Sequence, residues 1–136
     1  MPIDAADRFE IAELFARLAD VLDEGRFDDI GTVYAPTVTV SSPRGGQMRG
    51  LDQVQQFLHK NAVPDERTQH VHSGVRITED GAGVRASASQ LVYYYQDGEA
   101  PHRRSGLRLV YSVVRTAEGW RFEEGRLTLA WTDPAR

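Results

Sequence analysis

TQHVHSGVRITEDGAGVRASASQLVYYYQDGEAPHRRSGLRLVYSVVRTAEGWRFEEGRLTLAWT, residues 68–132, decides the fold. It breaks into four runs rich in β-branched and aromatic residues: Thr68 to Thr78, Gly83 to Gln96, Arg103 to Thr116 and Gly119 to Thr132. The separators EDGA, QDGEAP and TAEG each set a glycine beside an acidic residue, the chemistry of a tight hairpin. Four long strands joined by short turns predict an antiparallel meander. Long strands with bulges curl, and a curled sheet closed by helices leaves a hollow at its wide end. Polar side chains that point into that hollow are the functional candidates.

Upstream, the spacing of apolar residues is helical. Ile11, Leu14, Phe15, Leu18, Val21 and Leu22 recur at steps of three and four, so a helix with one buried face is predicted over Asp4–Glu24. Asp4 or Asp7 caps it and Gly25 ends it. Phe27, Ile30, Val33 and Tyr34 keep the same spacing and predict a second, short helix that runs to Pro36. Thr37 to Ser42 reads as a short strand, closed by Pro43 and the Gly45-Gly46 pair. A third helix is predicted over Leu51–Ala62, with Leu51, Val54, Phe57 and Leu58 on one face and Pro64 beyond its end. Helices first and a meander afterwards is an α+β pattern, with the helices on one face of the sheet.

The chain has 136 residues, the size of one domain, and no repeat or linker divides 1–136. It has no cysteine, which removes disulfides, thiolate metal sites and a thiol nucleophile together. Carboxylates, imidazoles and hydroxyls are left to carry any chemistry. The formal net charge of −4 argues against a nucleic-acid partner, because neutralising phosphates requires a basic face. No apolar run approaches the roughly 18 residues of a membrane span, and the opening MPIDAADRFE is acidic where a secretion signal is basic. The expectation is a cytoplasmic protein without a membrane partner.

The phrase Gly25-Arg26-Phe27-Asp28-Asp29-Ile30 before Tyr34-Ala35-Pro36, and the closing Gly119-Trp120-Arg121-Phe122, resemble the SnoaL-like branch of the nuclear transport factor 2 superfamily over the whole chain. That resemblance implies a cone-shaped α+β domain. Its curled, mixed, mainly antiparallel sheet would wrap around three N-terminal helices and an internal pocket. It also implies a homodimer formed through the convex sheet face. Ketosteroid isomerase resembles the chain from Gly25 to Gly50, but its catalytic groups are missing. Its general-base aspartate is matched by Ser42, its oxyanion-hole tyrosine by Leu18 and its acidic donor by a position near Ser105. Serine does not abstract a carbon-bound proton unaided, and leucine donates nothing to an enolate.

Scytalone dehydratase is matched where that isomerase is not. Its Ala-Asp-x-x-Asp is similar to Ala19-Asp20-Val21-Leu22-Asp23, and its Arg-Thr-Gln-His to Arg67-Thr68-Gln69-His70. The resemblance implies an Asp23–His70 dyad, with a similar dyad in hexachlorocyclohexane dehydrochlorinase. In such a pair the aspartate fixes the imidazole tautomer, so the other ring nitrogen can remove a proton next to a leaving group. The dehydratase's further tyrosine and histidine are matched by Leu22 and by Arg104 or Ser105. That leaves His72, Tyr34, Tyr111 or Arg108 to bind the leaving or carbonyl oxygen. His72 shares a strand face with His70; these two with Asp23 could also be metal ligands, but the resembling dehydratase works without metal and no fourth ligand suggests itself, so no metal is expected.

The leading expectation is therefore a cofactor-free lyase of the dehydratase type. Its substrate would be a hydrophobic, oxygenated small molecule such as a polyketide, terpenoid or steroid-like metabolite. A cyclase or isomerase using the same pocket, and a non-catalytic ligand-binding dimer module, are the alternatives.

Overall fold

The computed structural model describes residues 2–135. Helix α1, Ala5–Asp23, opens on a reciprocal cap: the Asp7 backbone N–H donates to Asp4 Oδ1 at 2.8 Å, and the Asp4 N–H to Asp7 Oδ2 at 3.1 Å. Its stripe Ile11, Leu14, Phe15, Leu18 and Val21 is buried, each such side chain contributing about 1.5–3 kcal/mol relative to exposure. Gly25, at φ +68°, turns the chain out of the helix, a conformation that only glycine adopts without steric cost.

The second helix departs from the sequence reading. It is a 3₁₀ turn over Phe27–Thr32, and Tyr34, expected to be helical, starts strand β1, Tyr34–Ser42. Proline has no N–H for the sheet ladder, and the pairing of β1 slips between Tyr34 and Thr39, where Pro36 sits. Pro36 is thus accommodated in an irregular strand and does not end a helix. A second difference is β2, Gly46–Arg49, an edge strand that pairs with Thr39–Ser42 across the Pro43 turn. Helix α2, Gly50–Asn61, follows at once.

The four long runs form β3, Arg67–Asp80, β4, Gly83–Tyr95, β5, Arg103–Thr116, and β6, Gly119–Asp133. They make one open sheet in the order β2-β1-β6-β5-β4-β3, in which only β1 and β6 run parallel. The architecture is the mixed-sheet, three-helix cone that the resemblance implied. Helix α1 crosses the inner face over β3 and β6, and α2 packs on β1. No helix among the described residues is long and apolar enough to cross a membrane.

Bulges decide which side chains face inward. In β3 one extra residue lies between Ser73 and Arg76, with Gly74 at φ +62°, so the inward parity passes from His70 and His72 to Ile77. Strand β4 turns Ala86, Ala88, Gln90 and Val92 inward, and β5 turns Leu109, Tyr111 and Val113. At one end of this surface α1 fills the concavity. At the other, past Gln90, it does not, and a cavity remains.

Candidate active site

Asp23 is the last residue of α1, and the packing of that helix over β3 sets its carboxylate against the start of the strand. Thr68 and His70 lie two apart on β3 and so share a face. The His70 backbone N–H donates to both Asp23 oxygens, at 3.1 and 2.9 Å, and the Thr68 hydroxyl donates at 3.1 Å. His70 Nδ1 lies 2.6 Å from Asp23 Oδ1. A carboxylate only accepts, so neutral His70 carries its hydrogen on Nδ1 and its lone pair on Nε2. Side-chain exposure is 11% for His70 and 25% for Asp23, so the pair is shielded but reachable. Among the described residues Nε2 has no partner and no buried side-chain nitrogen or oxygen goes unpaired, so Nε2 is accessible.

His70 opens onto a cavity of about 1320 Å³, bounded by α1, α2, β1 and the inner faces of β3 to β6. That is ample for a polycyclic ligand, since pockets for drug-sized molecules run to roughly 1,000 Å³. Tyr34 and Tyr111 line it, their hydroxyls 2.8 Å apart, and Tyr111 stacks on Phe122 with ring centroids 3.9 Å apart. Burial pushes the Tyr34 hydroxyl up to about 12 and raises that of Tyr111 well above the usual value, so both remain protonated donors. One hydroxyl donates to the other, so the second keeps its own O–H.

His72 and Arg108 are not brought into the cavity wall. His72 packs against Phe15, ring centroids 5.5 Å apart, and its Nε2 lies 2.8 Å from Gln90 Oε1. Burial holds its basicity below the ordinary histidine value, which makes it a neutral partner for Gln90. Arg108 points to the opposite face of the sheet and donates to Ser89 Oγ at 3.1 Å, because it alternates with the inward Leu107 and Leu109. As metal ligands, Asp23, His70 and His72 do not converge: His70 Nδ1 faces Asp23 while His72 Nε2 faces Gln90. No group of three such donors gathers among the described residues.

The positions matched to the isomerase machinery do lie at the cavity. Leu18 is a buried apolar wall, Ser42 Oγ accepts from the Gly45 N–H at 2.9 Å, and Ser105 donates to Thr132 Oγ1 at 3.1 Å. None of these is an acid or a base. Two cavity groups escaped the sequence reading. Gln90, only 5% exposed, is the one amide on an otherwise apolar inner face of β4, a signal that alternation does carry. His102 pairs with Glu66 at 2.7 Å on the cavity rim, a contact 36 residues apart that no local pattern reveals.

Residues 4–126 match the family model of the SnoaL-like domain. No curated protein matches the chain. Among solved structures, the Kfla4162 protein from Kribbella flavida is 26% identical, with a TM-score of 0.81 and 96% of each chain covered. A putative scytalone dehydratase from Novosphingobium aromaticivorans is 16% identical over 96% of this chain and 89% of its own, with a TM-score of 0.81. A type 2 hexachlorocyclohexane dehydrochlorinase, LinA, is 14% identical over 96% of this chain and 90% of its own, again with a TM-score of 0.81. At such identities the last two share the fold and nothing more is implied.

Proposed function

We propose that this chain, which belongs to the SnoaL-like domain family, is a lyase that eliminates water from a hydrophobic, oxygenated small molecule by acid/base catalysis at His70. The observation that carries the reading is the 2.6 Å Asp23–His70 contact beside the cavity, with Nε2 left accessible. The lone pair on Nε2 takes a proton from a carbon next to a carbonyl, and Asp23 stabilises the imidazolium that results. The electrons of the broken C–H bond form the new C=C bond as the neighbouring C–O bond breaks. The departing oxygen takes the proton from Nε2 and leaves as water, so His70 ends the cycle neutral. The free O–H of the Tyr34–Tyr111 pair holds the carbonyl oxygen as charge develops on it. The residues named suffice for each proton transfer.

That same tyrosine pair favours a second reading, an isomerase or cyclase in which the enolate collapses on another carbon with no loss of oxygen. Product analysis on a panel of cyclic hydroxyketones separates the two. Loss of 18 mass units (one water) supports elimination, and an isobaric product supports isomerisation. No conversion of any member, with His70→Ala indistinguishable from wild type, would leave a binding module as the better account. We further propose that the chain pairs with a second copy through the outer sheet face, where Val71 and Val110 are exposed to 40% and 38%. Sedimentation at micromolar concentration should show a dimer, and a monomer would refute this.

A further inference from the structure

We propose that Gln90 is a substrate-contacting residue whose carboxamide, aimed by His72, donates a hydrogen bond to an oxygen of the ligand. The proposal deepens the reading of His70 as the acid/base group and names a ligand class: a hydrophobic molecule with a carbonyl or hydroxyl oxygen near the His70 end of the cavity.

The geometry comes from the sheet register. Gln90 pairs with His72 across β3 and with Leu107 across β5, while His70 pairs with Val92. Gln90 and His70 are therefore diagonal neighbours on one face, with Cα atoms roughly 7–8 Å apart, within reach of one ligand. The glutamine is 5% exposed and its Oε1 is taken up by His72 Nε2 at 2.8 Å. Its amide nitrogen has no protein partner, yet no buried side-chain nitrogen among the described residues is left unpaired. The nitrogen must therefore face the cavity that Gln90 lines. A carboxamide that is nineteen-twentieths buried and shows only its donor end to the cavity is arranged to receive an acceptor.

His72 is the positioning residue. Its ring is wedged against Phe15 of α1, and because an amide oxygen only accepts, the 2.8 Å contact with Oε1 puts the ring hydrogen on Nε2. That contact selects one of the two flips of the amide, which would otherwise offer Oε1 or Nε2 to the cavity equally. The helix that carries Asp23 thus also fixes Gln90, through Phe15 and His72, so both polar groups at this end are set by the packing of α1.

The test uses two probes of one shape, 2-acetylnaphthalene and 2-ethylnaphthalene, titrated into the ¹⁵N-labelled full chain. The side-chain amide signals of Gln90 are assigned by their loss in Gln90→Leu. With the ketone they should shift saturably, and with the hydrocarbon they should not. Gln90→Leu keeps the volume and should bind the ketone about tenfold more weakly, the size of one well-made hydrogen bond, with unchanged affinity for the hydrocarbon. His72→Phe keeps the ring against Phe15 but frees the amide, and should lower the same ketone-to-hydrocarbon affinity ratio, which a merely structural role would leave unchanged. Equal losses for both probes, no loss for the ketone, or no saturable shift at the Gln90 amide would each overturn the proposal. Turnover by His70→Ala tests the acid/base reading and the binding ratio in Gln90→Leu tests this one, so failure here and failure of the acid/base reading are separate results.

Discussion

Replacing Asp23 by asparagine removes one charge and one acceptor from a site where three donors converge on two carboxylate oxygens. The amide has a single acceptor oxygen. If that oxygen takes the Oδ2 place and keeps the His70 backbone N–H, the NH₂ faces the Thr68 hydroxyl, which can turn to accept, and His70 Nδ1, which must then become an acceptor. The ring hydrogen moves to Nε2, and neutral His70 presents a donor to the cavity in place of a lone pair. The opposite flip sets two donors face to face at the His70 backbone, which is worse. A hydrogen bond to a charged group contributes about 1.5–3 kcal/mol, and water at the one-quarter-exposed carboxylate reduces this to about 1–2 kcal/mol. For a chain of this length the melting temperature should fall by about 3–8 °C, and loss of the correct tautomer should lower turnover by about 10³–10⁴. Thermal unfolding reads the first, and long-range ¹⁵N–¹H spectra of His70 show where the hydrogen sits. A melting temperature within about 1 °C of wild type, with Nδ1 still protonated, would refute the tautomer argument.

Three further outcomes follow from packing and charge. Gly125→Ala builds a methyl group into Tyr111, 2.7 Å from Cδ1 and nearer still to Cε1, and Tyr111 is stacked on Phe122 and cannot yield. It should cost about 1–3 kcal/mol in urea unfolding, and a change under about 0.5 kcal/mol would contradict the packing described. His72 has a folded pKa below its ordinary 6.5, so the unfolded chain binds more protons just below that pH. Stability should therefore fall as pH drops below 6.5, and His72→Phe should flatten that slope; an unchanged slope would mean another group dominates. Asp7 is held at about 2 by the Asp4 backbone N–H, the Trp120 indole and Arg115. Its contribution should be complete above 3.8 and lost as pH falls towards 2, a window in which Asp7→Asn should unfold with a shallower acid dependence than wild type.

The long strands were legible because glycine–acid separators punctuate them, and their observed limits differ from the reading by at most two residues. Helix α1 was legible from its apolar stripe. Elements that depend on partners were not. β2 is a four-residue edge strand whose only support is β1, and Tyr34 is drawn into the sheet by β6 although its spacing fits a helix. At the site, nothing within Asp23 or His70 marks them out from other acidic and imidazole residues. It was the phrases around them that linked the two across 47 positions. His72 shares the strand face of His70, as alternation required, but Phe15 of α1 covers it, and no one-dimensional pattern reports which part of a face a helix covers. Arg108 faces the outer side of the sheet, as its alternation with Leu107 and Leu109 required. Gln90 was readable too, as the polar member of Ala86, Ala88, Gln90 and Val92, but it does not titrate and so drew no attention.

The central claim is that His70 moves the proton, and turnover by His70→Ala measures this most directly, on whichever hydroxyketone the product screen identifies. Turnover should fall by about 10²–10⁴ with the melting temperature nearly unchanged, and millimolar imidazole entering the vacated space should partly restore it. Turnover within a few-fold of wild type, and indifferent to imidazole, would contradict it.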